Sequence, residues 1–174
     1  MFRTATKLIA APALMATLLL GVGTARAEAD FHHTGVACNP DNSARNDIGY
    51  SSNQGVWNES TTNNSAKVYC PIVTTFNPTN FTTASFDLFF YDKSSAGDVT
   101  CTFYALRVDG DIVVSDPETS SGSSNTIQSF TWDAHEDVIE DATYFTVSCT
   151  IPKASSSSST RSGIVTYNFS QDPI

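Results

Sequence analysis

The sequence predicts an all-β protein, an antiparallel β-sandwich of jelly-roll-like form with about eight or nine strands and two disulfides. Three observations carry this expectation. Ser and Thr supply 40 of the 147 residues after position 27; neither favours a helix interior, whereas Thr suits a half-exposed strand and Ser a turn. No stretch after position 27 repeats its apolar residues at helical spacing, while short runs alternate apolar and polar residues, with turn residues every ~8–12 positions. Four cysteines stand in or beside those runs.

Residues 1–27 read as a secretory signal peptide. Arg3 and Lys7 give a positive start, Leu8–Val22 an apolar run, and Ala25-Arg26-Ala27 the small-x-small pattern before a cut. The run contains Pro12, ends in Gly21 and Gly23, and falls short of the ~20 apolar residues that a membrane-spanning helix needs. Residues 28–174 are therefore expected to form one β-sandwich domain, secreted or periplasmic, with no membrane insertion. Cleavage leaves six Lys and Arg against eighteen Asp and Glu, a net charge of −12. Nucleic acids and anionic membranes are held by basic patches, so both are disfavoured as partners. The acids are scattered rather than blocked, which favours solubility outside the cell.

Taken in order, Glu28–Thr34 reads as an irregular lead-in and Cys38–Asn42 as turn chemistry. Asp47–Tyr50 and Gln54–Asn58 are short strands, followed by the polar cluster Glu59–Ser65. Ala66–Val73 places Ala66, Val68, Cys70 and Ile72 on one face, and its Pro71 fits an edge position or a strand end. Ala84–Asp92 alternates Phe86, Leu88 and Phe90 with Ser85, Asp87, Phe89 and Tyr91. Asp98–Val108 carries Val99, Cys101, Phe103 and Ala105 on its core face. Asp109-Gly110 then predicts a type I′ hairpin, with positive φ at both central residues, and Asp111–Ser115 returning antiparallel. Asp116–Asn125 is a polar loop, Thr126–Trp132 a strand, and Asp133–Asp141 an acidic connection with one helical turn. Thr143–Pro152 presents Phe145, Val147, Cys149 and Ile151 to the core. The Ser run 155–159 is a solvated loop, and Gly163–Ser170 closes the sheet with Val165, Tyr167 and Phe169 on one face.

Four cysteines permit three pairings. Cys101 and Cys149 lie on the core faces of strands expected to pair, and Cys38 and Cys70 are the remaining neighbours in sequence. Cys38–Cys70 and Cys101–Cys149 are thus expected, each worth roughly 4 kcal/mol in the chain-entropy treatment. Thiolate metal sites need closely spaced Cys pairs, which are missing.

Candidate chemistry is sparse. His32-His33 suggests copper, but oxidative polysaccharide chemistry of that kind needs His as the first mature residue, and a cut after Ala27 leaves Glu28 there. Adjacent residues also point apart on an extended chain. His135-Glu136 falls short of a zinc-peptidase motif because Ile139 stands where the second His belongs. Asp133, Glu136, Asp137, Glu140 and Asp141 make a weak Ca²⁺ candidate, lacking the EF-hand spacing and glycine; a solvated acidic loop is the plainer reading. No G-x-S-x-G or phosphate-binding loop occurs, so no catalytic residue and no cofactor is assigned. The N-glycosylation pattern at Asn58, Asn63, Asn80 and Asn168 is expected by chance in so Asn- and Ser-rich a chain.

Aromatics are more telling. Tyr50, Trp57, Tyr69, Tyr91, Tyr104 and Tyr144 cannot all face inward in these registers. Exposed rings on a sheet stack on sugars or anchor a protein partner; the plain alternative is that they cap the core beneath loops.

The segments HHTGVACNPDN (32–42), IGYSSNQGVWNES (48–60), SAKVYCPI (65–72), YFTVSCTIP (144–152) and GIVTYNF (163–169) together resemble a group of small secreted bacterial β-sandwich proteins. The resemblance implies a bacterial source, export and the sandwich fold. It brings no catalytic residues, because none are established for that group. The expectation is an exported, acidic, non-catalytic module that binds a glycan or protein, or serves the envelope or the extracellular space structurally. A small secreted hydrolase acting on an extracellular polymer is the alternative. Oligomeric state is not legible in the sequence.

Overall fold

The computed structural model describes residues 29–173, apart from 52–54, 63–64, 73–80, 136–137, 139–140 and 157; the leader expected at 1–27 lies outside the described residues. Among the described residues, eleven strands form two antiparallel sheets. Sheet A contains β1 (Ala29–Thr34), β3 (Ile48–Ser51), β4 (Gly55–Asn58), β6 (Phe81–Tyr91), β9 (Ile127–His135) and β11 (Gly163–Pro173). Its order is β3-β4-β11-β6-β9, and β1 also pairs with β11. Sheet B contains β2 (Asn39–Pro40), β5 (Ala66–Ile72), β7 (Thr100–Leu106), β8 (Ile112–Thr119) and β10 (Tyr144–Ile151), in the order β2-β5-β10-β7-β8.

Period-two alternation puts the core between the sheets. Sheet A contributes Phe86, Leu88, Phe90, Phe130, Trp132, Ile164, Tyr167 and Phe169; sheet B contributes Val68, Cys70, Phe103, Phe145, Val147 and Ile151. Aromatic rings span the layers: Phe86 of sheet A lies 5.9 Å from Phe103 of sheet B, and Phe145 lies 5.5 Å from Phe169. Each such ring stabilises the fold by about 1.5–3 kcal/mol through burial.

Both disulfides form as expected, Cys38–Cys70 and Cys101–Cys149. Cys101 faces Cys149 directly across β7 and β10, and Cys38 immediately precedes the β2 residues paired with β5. Both staples therefore lie within sheet B. Among the described residues, sheet A is held by packing and hydrogen bonds alone.

Several local expectations change. The lead-in 29–34 is a strand, because β11 offers it a partner 136 positions away at His32↔Asn168. Asn39 and Pro40 form a two-residue strand on β5, so Pro71, beyond that short partner, sits where the outer side of β5 is open. At Asp109-Gly110 the hairpin forms with a different turn. Only Gly110 has positive φ (91°); Gly110 N–H donates to Arg107 O (3.0 Å), and the register shifts beside Leu106. That is a three-residue loop, a type I-like turn closed by a glycine bulge. Residues 116–119, expected as loop, extend β8 opposite residues 100–103. This is an edge strand, where Pro117 is tolerated and acids discourage pairing with another chain. Asp133, Ala134 and His135 extend β9; Val138 and Asp141 are helical, and Ala142 N–H donates to Val138 O (3.1 Å). A bulge in β11 between Ile164 and Thr166 hands the core position to Ile164, so Val165 leaves the face expected for it.

Candidate functional site

The outer face of sheet A is assembled from rows of residues crossing its strands. One row runs Gly49, Trp57, Gly163, Tyr91, Ile127 through successive register pairs. Trp57 has room to lie down because its neighbour is glycine. A Cβ on Gly163 would stand 2.7 and 2.8 Å from Trp57 Cε3 and Cδ2, and would also strike Val56 O. The indole therefore leans across β11 towards Tyr91, with ring centres 5.8 Å apart and planes 24° from parallel. Lys93 Nζ stands over this pair, 4.3 Å from the Tyr91 centroid and 5.9 Å from that of Trp57. Beyond Trp57, the Glu59 side chain covers Gly49 and pairs with Arg161 Nη1 at 2.5 Å.

The next row holds Thr166, Phe89 and Ser129, and the one after it His32, Asn168, Asp87 and Thr131. In that third row His32 Nδ1 lies 2.6 Å from Asn168 Oδ1, and Thr131 Oγ1 donates to Asp87 Oδ1 at 2.6 Å. Outward residues on one strand are spaced by about 7 Å, so Tyr91, Phe89 and Asp87 span about 14 Å. Flat aromatic surface at one end thus passes into fixed amide, carboxylate and hydroxyl groups.

The sequence candidates divide among three places. Trp57 and Tyr91 meet on sheet A. Tyr69, Tyr104 and Tyr144 stand on the outer face of sheet B, with Tyr69 and Tyr144 about two-fifths exposed (40% and 41%). Buried Ser148 lies opposite Tyr69, on the strand between it and Tyr104. Tyr50 sits at the β3 edge and donates from its hydroxyl to Cys38 O at 3.2 Å; partial burial raises its pKa.

The histidine and acidic candidates separate as well. His32 faces out, while His33 stacks on Tyr167 with centroids 5.1 Å apart. Asp133 is exposed on β9 and Asp141 pairs with Arg107 at 3.1 Å; Glu136, Asp137 and Glu140 lie outside the described residues. Among the described residues, no cluster of three or more His, Cys, Asp or Glu is placed to hold a metal. Asn58, one of the glycosylation matches, is fully buried and donates to Ile151 O at 2.9 Å.

Sequence reasoning missed Lys93 and the residue before it. Asp92 is fully buried at the end of β6. Its Oδ1 accepts from Ser162 Oγ (2.9 Å), and its Oδ2 from Ser120 Oγ (2.5 Å) and Val99 N–H (3.3 Å). Ser94 Oγ donates to Lys153 O (2.5 Å) nearby. This network ties the loops crossing between the sheets and fixes the chain on which Tyr91 and Lys93 stand. A lone Asp closing a strand gives no pattern from which this could be read. Above it, residues 94–98 with Gly122 and Ser123 line a shallow pocket of about 400 Å³, whose lining includes one carboxylate, Asp98, and no histidine. A hydrolytic pair of carboxylates, or a His beside a Ser, is not found in that lining.

No protein-family model matches the chain, and no curated protein matches it. Among solved structures, the chain is similar to a xylan-binding module, CBM15, at 13% identity and TM-score 0.50, over 83% of this chain and 97% of that one. The likeness is one of fold. A CBM36-1 domain of a multidomain xylanase from the hindgut metagenome of Trinervitermes trinervoides matches at 13% identity and TM-score 0.44, over 82% of this chain and 96% of that one. A CBM35 from Paenibacillus barcinonensis matches at 13% and 0.41, over 83% and 98%. The jelly-roll-like antiparallel sandwich expected from the sequence is the architecture observed. No helix among the described residues is long and apolar enough to cross a membrane.

Proposed function

We propose that this chain is an exported, non-catalytic carbohydrate-binding protein that holds a glycan on the outer face of sheet A. The observation that carries the reading is the Trp57–Tyr91 pair, laid down over Gly163 and continued by the Asn168–Asp87–Thr131 row. A sugar ring offers an apolar face of C–H groups and an equatorial rim of hydroxyls. The aromatic pair suits the first, and the amide, carboxylate and hydroxyl row suits the second. The fold shared with a xylan-binding module supports the reading, and so do the 1–27 leader and the two disulfides, which belong to oxidising compartments. The resemblance to small secreted bacterial proteins adds a bacterial source, in the periplasm or the medium.

Affinity electrophoresis and titration calorimetry against soluble xylan, mixed-linkage glucan and uronate-containing polysaccharides test this. Trp57→Ala and Tyr91→Ala should each weaken binding at least about tenfold, or about 1.4 kcal/mol. Tyr69→Ala and Tyr144→Ala, on the other sheet, should leave it unchanged. Binding that follows Tyr69 and Tyr144 instead would move the site to sheet B, and binding to none of the polymers would refute the reading.

A further inference from the structure

Lys93 occupies the place where a sugar would stack. Its ammonium stands 4.3 Å from the Tyr91 ring centre and 5.9 Å from that of Trp57, and among the described residues no ion pair of Lys93 with a carboxylate is found. The other basic groups with defined neighbours are matched. Arg107 pairs with Asp141 and Arg161 pairs with Glu59, while Lys67, itself 5.2 Å from the centre of the Tyr69 ring, lies close enough to Asp41 to help hold that carboxyl below its usual pKa, after the hydrogen bonds from Ser43. Lys93 is thus a cation held by ring faces, in a mature chain of net charge −12.

Trp57, Tyr91 and Lys93 are half-buried; a cation over such rings gains about 0.5–2 kcal/mol, and lysine carries a point charge on a flexible four-carbon stem. The ammonium can therefore leave the rings at small cost while remaining beside them. The inference rests on the proposed function in one respect, that the Trp57–Tyr91 face binds sugar. Given that reading, we infer that the ligand is an acidic glycan carrying uronic acid residues, whose carboxylate takes the Lys93 ammonium as the sugar takes the rings.

Local charge supports this despite the acidic whole. At physiological salt, charges more than about 8 Å apart are largely screened. Near the aromatic pair, Glu59 is matched by Arg161, and Asp92 is buried beneath hydroxyl donors. Asp87 lies two outward positions along β6, about 14 Å from Tyr91. A continuous polyanion laid along the sheet would bring a carboxylate within that screening length of Asp87, so the fitting ligand bears spaced carboxylates on an otherwise neutral chain.

The test uses the mature protein with a glucuronate-branched xylo-oligosaccharide and the same oligosaccharide after reduction of its carboxyl groups. In 50 mM salt the acid should bind about tenfold tighter than its reduced partner, and the difference should shrink as salt rises. Lys93→Met should abolish the preference while leaving the neutral ligand bound as well or better, and Lys93→Arg should retain it. Equal binding of the two ligands by the parent protein, or an unchanged preference in Lys93→Met, overturns the inference. Trp57→Ala separates the two levels. If it removes binding of both ligands while neither is preferred, the carbohydrate site stands and the acidic specificity falls. Failure of the parent to bind either ligand overturns both.

Discussion

Replacing Asp92 by asparagine changes one atom and almost no volume, yet the surrounding bonds dictate a clear loss of stability. Ser162 Oγ already accepts from Lys93 N–H (3.0 Å) and Ser94 N–H (3.1 Å), so its own hydrogen is directed to Asp92 Oδ1. Ser120 Oγ accepts from Val99 N–H (3.0 Å) and directs its hydrogen to Oδ2. Both carboxylate oxygens must therefore accept. An amide, in either orientation, sets its NH₂ against one of these donors, and full burial leaves no water to resolve the conflict. One lost bond and an unsatisfied buried donor cost about 1–3 kcal/mol. Asp92→Ala removes every acceptor and opens a void, so it should cost about 3–5 kcal/mol. With a urea slope of about 1–3 kcal/mol/M for a domain of this size, a 2 kcal/mol loss lowers the midpoint by about 1 M. Equilibrium urea unfolding followed by tryptophan fluorescence measures this. An asparagine variant whose midpoint lies within about 0.3 M of the parent would refute the assignment of both oxygens as obligatory acceptors.

Other outcomes follow from the same geometry. Gly163→Ala should destabilise by about 1–3 kcal/mol and disturb the Trp57 near-ultraviolet signal, because its Cβ would press on Val56 O and the indole; an unchanged spectrum and midpoint would contradict the packing described. Removing either disulfide by paired Cys→Ala changes should cost about 4 kcal/mol, since the two links close 32 and 48 positions of chain, and thermal unfolding with and without reductant reads it. Burial pushes the Tyr167 phenol up to about 12. The unfolded chain gives up this proton near pH 10, so the native state binds more protons between pH 10 and 12 and stability falls as pH rises through that window. The loss should be on the order of 1–2 kcal/mol after allowance for screening, and Tyr167→Phe should flatten it in urea titrations across that range.

The core strands were legible because one physical constraint acts on each of them. A strand with one buried face must alternate, and Ala66–Ile72, Thr100–Leu106 and Tyr144–Ile151 do so almost without exception. Cysteine pairing was legible for the same reason: Cys101 and Cys149 share a core face, and that leaves Cys38 for Cys70. The short β1 and β2 were not legible, since their formation depends on partners distant in the chain rather than on their own composition. The β11 bulge likewise shifts a core position from Val165 to Ile164 without a local mark.

The candidate site divides along the same line. Alternation placed Tyr91 opposite the core residues of its strand, and Trp57 stood with it among six rings that could not all face inward and that could meet a ligand. Their meeting was decided by β11, whose Gly163 falls between them in the sheet and leaves the space the indole fills. The sequence by itself determined the all-β class, the core faces of the regular strands and the two staples, because burial and cysteine chemistry constrain those strands locally. Which outward aromatics share a face, and that Lys93 covers them while Asp92 anchors the chain beneath, was decided only by the tertiary structure, because strand order and register join residues that no spacing along the chain connects.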